Sequence, residues 1–269
     1  MIRSVLLSSA VVVFGMASTG LEKPKLQFKH NEGSTSTVEA NSKIHQILSI
    51  AGMDVETAVD SKVTVTSSVG KRGSDGRLPI RQKVDALQVQ LSLPGGVAIS
   101  FDSNSPNVTN DNPMIQAMLD TFKARIGSGH SIVLDKDDKV IAIEGADQIL
   151  EKATPAAAEI LRREVNVDQM KKAAEQSFAI LPNEPVGESD SWTRTAENRI
   201  GGGQTLTFET KYEYLGTVEK DGKKLDKIGT TALTVTYAMD ANAASPLKVT
   251  QSALTIESSK GTILFDREK

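Results

Sequence analysis

A serine next to a histidine in the run Gly127-Ser128-Gly129-His130 supplies two residue types that hydrolases use for acyl transfer. The nucleophile elbow of such enzymes is a Gly-x-Ser-x-Gly turn that joins a strand to a helix. Here the run follows a helical pattern and precedes a strand pattern, and adjacent positions do not form a nucleophile and base pair, so it reads as a helix-stop turn. The acidic run Asp135-Lys136-Asp137-Asp138 is like the start of a calcium loop. Val140 stands where that loop needs glycine and Ala146 where it needs a bidentate glutamate, so a solvated hairpin tip is the better reading. His30, His45 and His130 are far apart and none has a ligand-type partner at helical i, i+4 spacing, which leaves a zinc site without support. Gly201-Gly202-Gly203 is not followed by Lys-Ser/Thr and reads as a turn rather than a phosphate cradle. Asn107-Val108-Thr109 is a formal glycosylation sequon in a polar loop.

The chain has no cysteine, which removes thiol catalysis and thiolate metal sites. Its formal charge of -3 is spread without a basic stripe, so neither nucleic acid nor an acidic membrane surface is an expected partner. Together these features predict a non-enzyme with no catalytic residue, no metal and no cofactor.

The elements that position these residues begin with an export signal. Arg3 precedes an apolar run from Val5 through Ala17, and Ala17, Ser18, Thr19 and Gly20 offer the small side chains of a cleavage zone after Ala17 or Gly20. The run is shorter than the roughly 20 apolar residues that cross a bilayer. Residues 1–20 are therefore expected to be a signal peptide, and 21–269 a single domain, soluble in the periplasm or secreted, with no permanent membrane span. Without cysteine it cannot carry a lipoprotein thioether, and the lack of disulfides in an exported chain of about 250 residues suggests a bacterial envelope protein.

Along the mature chain, Leu26 to His30 is a candidate first strand and Ser36 to Ile50 a second extended stretch that breaks at Gly52. Val63, Val65 and Val69 alternate with Thr64, Thr66 and Ser68, and Leu87, Val89, Leu91 and Leu93 alternate with Gln88, Gln90 and Ser92; both are half-buried strands. Val97, Ile99 and Phe101 form a return strand after Pro94-Gly95-Gly96. Asn112-Pro113 opens a helix with Ile115, Met118, Leu119, Phe122 and Ile126 on one stripe. A hairpin over 130–143 follows, then helix from Asp147 to Lys152 and from Thr154-Pro155 to near Leu181, closed by Pro182 and Pro185. Alternation returns over 205–214, 233–239 and 249–256, with turns at Asp221-Gly222 and Lys260-Gly261. Trp192, the only tryptophan, is expected to be a packing anchor.

No low-complexity linker divides the β regions, so the expected fold is α+β: one strongly curved antiparallel sheet, a half-barrel, wrapped around a few central helices. Two smaller domains divided near Pro185 are the alternative. Phe122, Phe178, Leu206 and Phe208 are the candidates to line a hydrophobic cleft between sheet and helices.

Phe101-Asp102-Ser103, Lys139-Val140 with Glu144-Gly145, Leu181-Pro182-x-x-Pro185-Val186 leading to Asp190-Ser191-Trp192, and Tyr212-x-Tyr214-Leu215-Gly216 followed by Asp221-Gly222-Lys223 occur in this order. In them the chain resembles an uncharacterised domain family of exported, planctomycete-type bacterial proteins. The resemblance spans most of the mature chain and brings no catalytic residue. The element order is also similar to the periplasmic lipoprotein-carrier type of fold, which implies an apolar cleft by analogy alone. Two functions follow as expectations: a non-catalytic envelope protein that contacts a protein or wall component through its polar sheet face or loops, or a carrier of lipid or another hydrophobic ligand.

Overall fold

The computed structural model describes residues 23–50, 53–201, 203–220, 222–240 and, apart from 253 and 257, 252–267; residues 1–20, expected to be a signal peptide, lie outside them. The first sheet contains β1 (Thr35–Ile50), β2 (Met53–Val69), β3 (Leu78–Leu93), β4 (Val97–Asp102), β5 (Gly129–Leu134) and β6 (Val140–Glu144). The second contains β7 (Ser191–Gly201), β8 (Gln204–Lys220), β9 (Lys223–Met239) and β10 (Gly261–Phe265). Between β4 and β5 runs α1 (Pro113–Arg125), and between β6 and β7 run α2 (Gln148–Glu151), α3 (Pro155–Glu164) and α4 (Val167–Phe178).

The expected single sheet is thus corrected to two, and the described strands close no barrel. Alternation shows that a strand has one buried face but not which edge it joins. Here three helices carry the chain away from β6, and β7 takes β8 as its partner, with Trp192 opposite Tyr212 and Phe208 opposite Ala196. All pairs are antiparallel.

β3 is the spine of the first sheet. One edge pairs with β2 along its length, while the other is shared, Leu78 to Lys83 with β5 and Gln88 to Leu93 with β4. Between these halves the register slips: Val84 opposes Val65 and Ala86 opposes Thr64, leaving Asp85 as the extra residue of a β-bulge. Asp85 is held by the Thr66 hydroxyl, which donates to it, and by Lys83 at 2.9 Å. The bulge reverses the parity of the strand, so Leu78 and Ile80 at even positions and Leu87 and Val89 at odd positions share one buried face.

That face carries two cores. Leu87, Val89, Ile99 and Phe101 pack against Leu119, Ile115, Met118 and Phe122 of α1. Leu78, Ile80, Ile132, Leu134, Val140 and Ile143 pack against Ala174, Met170 and Phe178 of α4. Asn112 caps α1 by accepting from the Met114 and Ile115 amides, and Gly127 leaves it at φ +68, as a helix stop requires. The long helix expected after Pro155 is instead two, because Asn166 is extended and caps α4 through the Gln169 amide.

In the second sheet a third core joins Tyr214 and Ile228 to Leu181, Val186 and Leu26. Asp226, 1% exposed, accepts from the Tyr214 hydroxyl at 2.7 Å and pairs with Arg267 at 2.5 Å, which ties the end of the described chain to β9. Trp192 is a packing anchor: it stacks on Tyr212 and donates from Nε1 to the Ile180 carbonyl at 2.7 Å. Arg194 donates to the carbonyls of Ala179 and Leu181, so two residues of β7 read the carbonyls at the end of α4.

Leu26 to His30 forms no strand, a second correction. The segment lies in no regular element and seats Leu26 in the second-sheet core while Phe28 touches both Phe265 of β10 and Phe178 of α4. Its side chains, rather than a backbone ladder, hold it there. The strand expected over 249–256 falls partly outside the described residues, and Ser252 and 254–256 are not in strand.

Candidate functional site

Two cores under one sheet leave a gap where the bulge separates them. Val65 and Val84 of β2 and β3 line that gap with Ala146, Ile149, Leu161, Val165 and Met170, forming a concavity of ≈ 310 Å³. Leu161 at its wall is fully buried, whereas Arg125 and Glu164 are 39% and 47% exposed and form an ion pair across α1 and α3. An aliphatic interior with a charged, partly wet pair is the pattern of a site for a molecule with an apolar body and a polar end.

The fork in β3 also builds the polar margin. The Val84 amide donates to the Ser128 carbonyl at 3.0 Å, and the Gly127 amide donates back to the Val84 carbonyl at 2.8 Å, which brings Ser128, Gly129 and His130 to the cleft. Gly129 is obligatory: a Cβ there would meet the Gln82 carbonyl oxygen at 2.0 Å. The Ser128 hydroxyl donates to the Arg125 carbonyl at 2.6 Å, a capping role at the end of α1. Burial holds the His130 imidazole below its ordinary 6.5.

A second hollow of ≈ 560 Å³ shares Glu164 and Met170 with the first and continues between α4 and β7. Its lining residues are mainly of polar type, among them Asn166, Asp168, Gln169 and Asn198, and it is bridged by Lys172 and Glu197 at 2.6 Å. A third, of ≈ 310 Å³, lies at the other end of α4 and is lined by Phe28, His30, Asp138 and Phe178.

The four hydrophobic candidates from the sequence do not meet in one cleft. Phe122 packs under β3 and β4, 5.7 Å from Phe101 between ring centres. Phe178 packs in the other core and against Phe28 and His30. Leu206 and Phe208 are on β8, opposite Tyr237 and Val235 of β9. The residues that do line the first cleft come from β2, β3, the α1–β5 turn and α2 to α4, segments far apart in the chain, and sequence reasoning missed them. Gly127-Ser128-Gly129-His130 was the one visible signal, and it marks the margin through its backbone rather than through catalysis.

Asp135 accepts from the Asp137 and Lys139 amides, and Asp138 at φ +58 pairs with Arg72, which makes the acidic run a hairpin turn. His30 and His130 lie in different hollows, and His45 is on β1 at a position whose side chain is not described. Among the described residues no cluster of three His, Asp or Glu side chains is placed to hold a metal ion, and no helix is long and apolar enough to cross a membrane.

No curated protein and no solved structure matches the chain. Residues 75–269, from the loop before β3 through the second sheet, match the model of a family of unknown function, DUF6263, and the chain belongs to that family.

Proposed function

We propose that the mature chain is an exported envelope protein that performs no covalent chemistry and binds a small amphipathic ligand, a lipid or another apolar molecule with a polar end, in the cleft between the first sheet and α2 to α4. The observation that carries this reading is the composition of the cleft: six larger aliphatic side chains, Val65, Val84, Ile149, Leu161, Val165 and Met170, behind the Arg125–Glu164 pair. Its ≈ 310 Å³ lies at the lower end of volumes that hold small ligands, and the hollow beyond Met170, with Asn166, Gln169 and Asn198 in its lining, gives a head group room to extend. The charged groups around it support binding over catalysis, since Arg125 is committed to Glu164, Lys172 to Glu197, and the Ser128 hydroxyl to a carbonyl. Export rests on the Arg3 and Val5–Ala17 pattern.

Native mass spectrometry of protein released gently from its own envelope tests this. A discrete added mass that organic solvent removes is expected; bare protein under the same conditions counts against the reading. The outer face of the first sheet favours a second reading, contact with another envelope protein. Thr37 and Thr66 join by their hydroxyls at 3.1 Å, Lys62 pairs with Glu39 and Lys43 with Asp60, so β1 and β2 present a polar ladder. Bare protein that still captures a specific envelope partner would favour that reading.

A further inference from the structure

We propose that residues 23–34 form a strap that holds the two sheets together and lets go when His30 is protonated. The strap makes contacts to each side in turn. At its start Lys23 pairs with Asp190 at 2.8 Å, the Pro24 carbonyl accepts from the Val186 amide, and Leu26, 2% exposed, fills the second-sheet core. At its end the Gly33 amide donates to the Val69 carbonyl, the Ser34 carbonyl accepts from the Val69 amide, and Glu32 accepts from the Arg72 amide, all on the first sheet or its β2–β3 loop. Phe28 stands between, its ring edge-on to Phe265 of the second sheet and to Phe178 of α4.

His30 is the midpoint of this crossing. Its ring stacks on Phe28 and meets Phe178 edge-on with centres 5.3 Å apart. The charged groups around it are Asp137 and Asp138 on the β5–β6 turn, Arg72 on the β2–β3 loop, and Lys25 and Glu32 on the strap itself; α4 and the residues after it present Phe178 and the uncharged Asn183. Asp138 would be the natural counter-ion, but it is held by Arg72 at 2.6 Å, and Arg72 is fixed further by the Gly76 and Asp135 carbonyls. A proton on His30 therefore puts charge into a half-buried aromatic seat beside a carboxylate already in use and a guanidinium of like sign. Desolvation and Arg72 outweigh Asp138, and the imidazole sits below its ordinary 6.5. The sign follows: the docked strap prefers the neutral ring, so its hold is full above about pH 6.5 and declines as pH falls through the lower docked value.

Hydroxyl-radical footprinting of the intact chain at pH 7.5 and pH 5.0 tests the proposal. In the wild type, oxidation of Leu26 and Phe28 is expected to rise at least threefold at the lower pH, while Leu119 and Leu161, buried in the helix layer, remain protected. His30→Phe keeps an aromatic ring in the seat and His30→Gln keeps a neutral polar group; both are expected to abolish the pH response. Wild-type labelling that does not change, an equal response in whichever variant retains the wild-type Trp192 fluorescence, or simultaneous exposure of Leu119 and Leu161 would overturn the proposal. Leu26 and Phe28 lie outside the cleft, so the strap response stands or fails independently of the binding function.

Discussion

Met170 and Phe178 occupy the two ends of one buried stripe on α4, with Ala174 between them, so the same helix walls the candidate cleft at one end and seats the strap residues Phe28 and His30 at the other. Positions i, i+4 and i+8 share a helix face, and a packed helix moves as a unit. The two features are therefore mechanically joined although they lie in separate hollows.

Phe178→Ala is the first consequence. It removes the ring shared by Phe28, His30 and the first-sheet core, and the cost in stability is about 2–4 kcal/mol, below the roughly 3–5 kcal/mol of a fully buried phenylalanine because the ring is only partly buried. Because α4 loses its seat, binding of an apolar probe in the cleft is also expected to weaken, although residue 178 does not line it. Urea unfolding and probe titration at pH 7.5 read the two effects.

Gly129→Ala places a Cβ 2.0 Å from the Gln82 carbonyl oxygen, within the ladder that joins β3 to β5. Backbone on both sides cannot yield without breaking that pairing, so a loss of at least about 2 kcal/mol is expected. Gly95→Ala, at φ +77 with open space around it, is expected to cost only about 1 kcal/mol. The difference between the two urea midpoints checks the account of the fork.

The junction of α4 with the second sheet depends on a planar group. Arg194 reaches two carbonyls at once, Ala179 at 2.5 Å and Leu181 at 2.6 Å, and a lysine ammonium cannot present that fork. Arg194→Lys is expected to lower stability by about 1–2 kcal/mol, with Trp192 fluorescence shifted because its partner carbonyl, Ile180, lies between those two.

The pH dependence of stability has a second source in the cleft. Burial lowers the His130 imidazole below the 6.5 of an exposed histidine, so the unfolded chain binds the proton first. Stability is complete above about pH 6.5 and falls as the pH drops toward the folded value. Urea unfolding from pH 7.5 to pH 5.0 is expected to show a shallower decline for His130→Gln than for the wild type.

Several of these relationships could be read in the residues and others could not. Asn112-Pro113 announced α1, the acidic turn announced the β5–β6 hairpin, and Leu87 to Leu93 announced half of β3. The other half of β3 was hidden by the bulge at Asp85, because a one-residue insertion moves the buried set from odd to even positions and breaks the period-two pattern. The α3–α4 break rested on Asn166 alone, a single cap inside an otherwise helical composition. Leu26, Phe28 and His30 alternate as a strand would, yet their partners are side chains, the second-sheet core for Leu26 and α4 and β10 for the two rings, and no local pattern distinguishes the two cases. The cleft was hidden for the same reason: its walls come from segments far apart in the chain and meet only because two cores form under one sheet.

The most direct measurement is a fluorescence titration with N-phenyl-1-naphthylamine, a neutral apolar probe, against the wild type and Ile149→Trp, which fills the cleft from α2. Saturable one-to-one binding by the wild type is predicted, with affinity at least tenfold weaker in Ile149→Trp and an unchanged unfolding midpoint. No saturable binding by the wild type, or equal affinity in the filled variant, would contradict a ligand site between the first sheet and its helices.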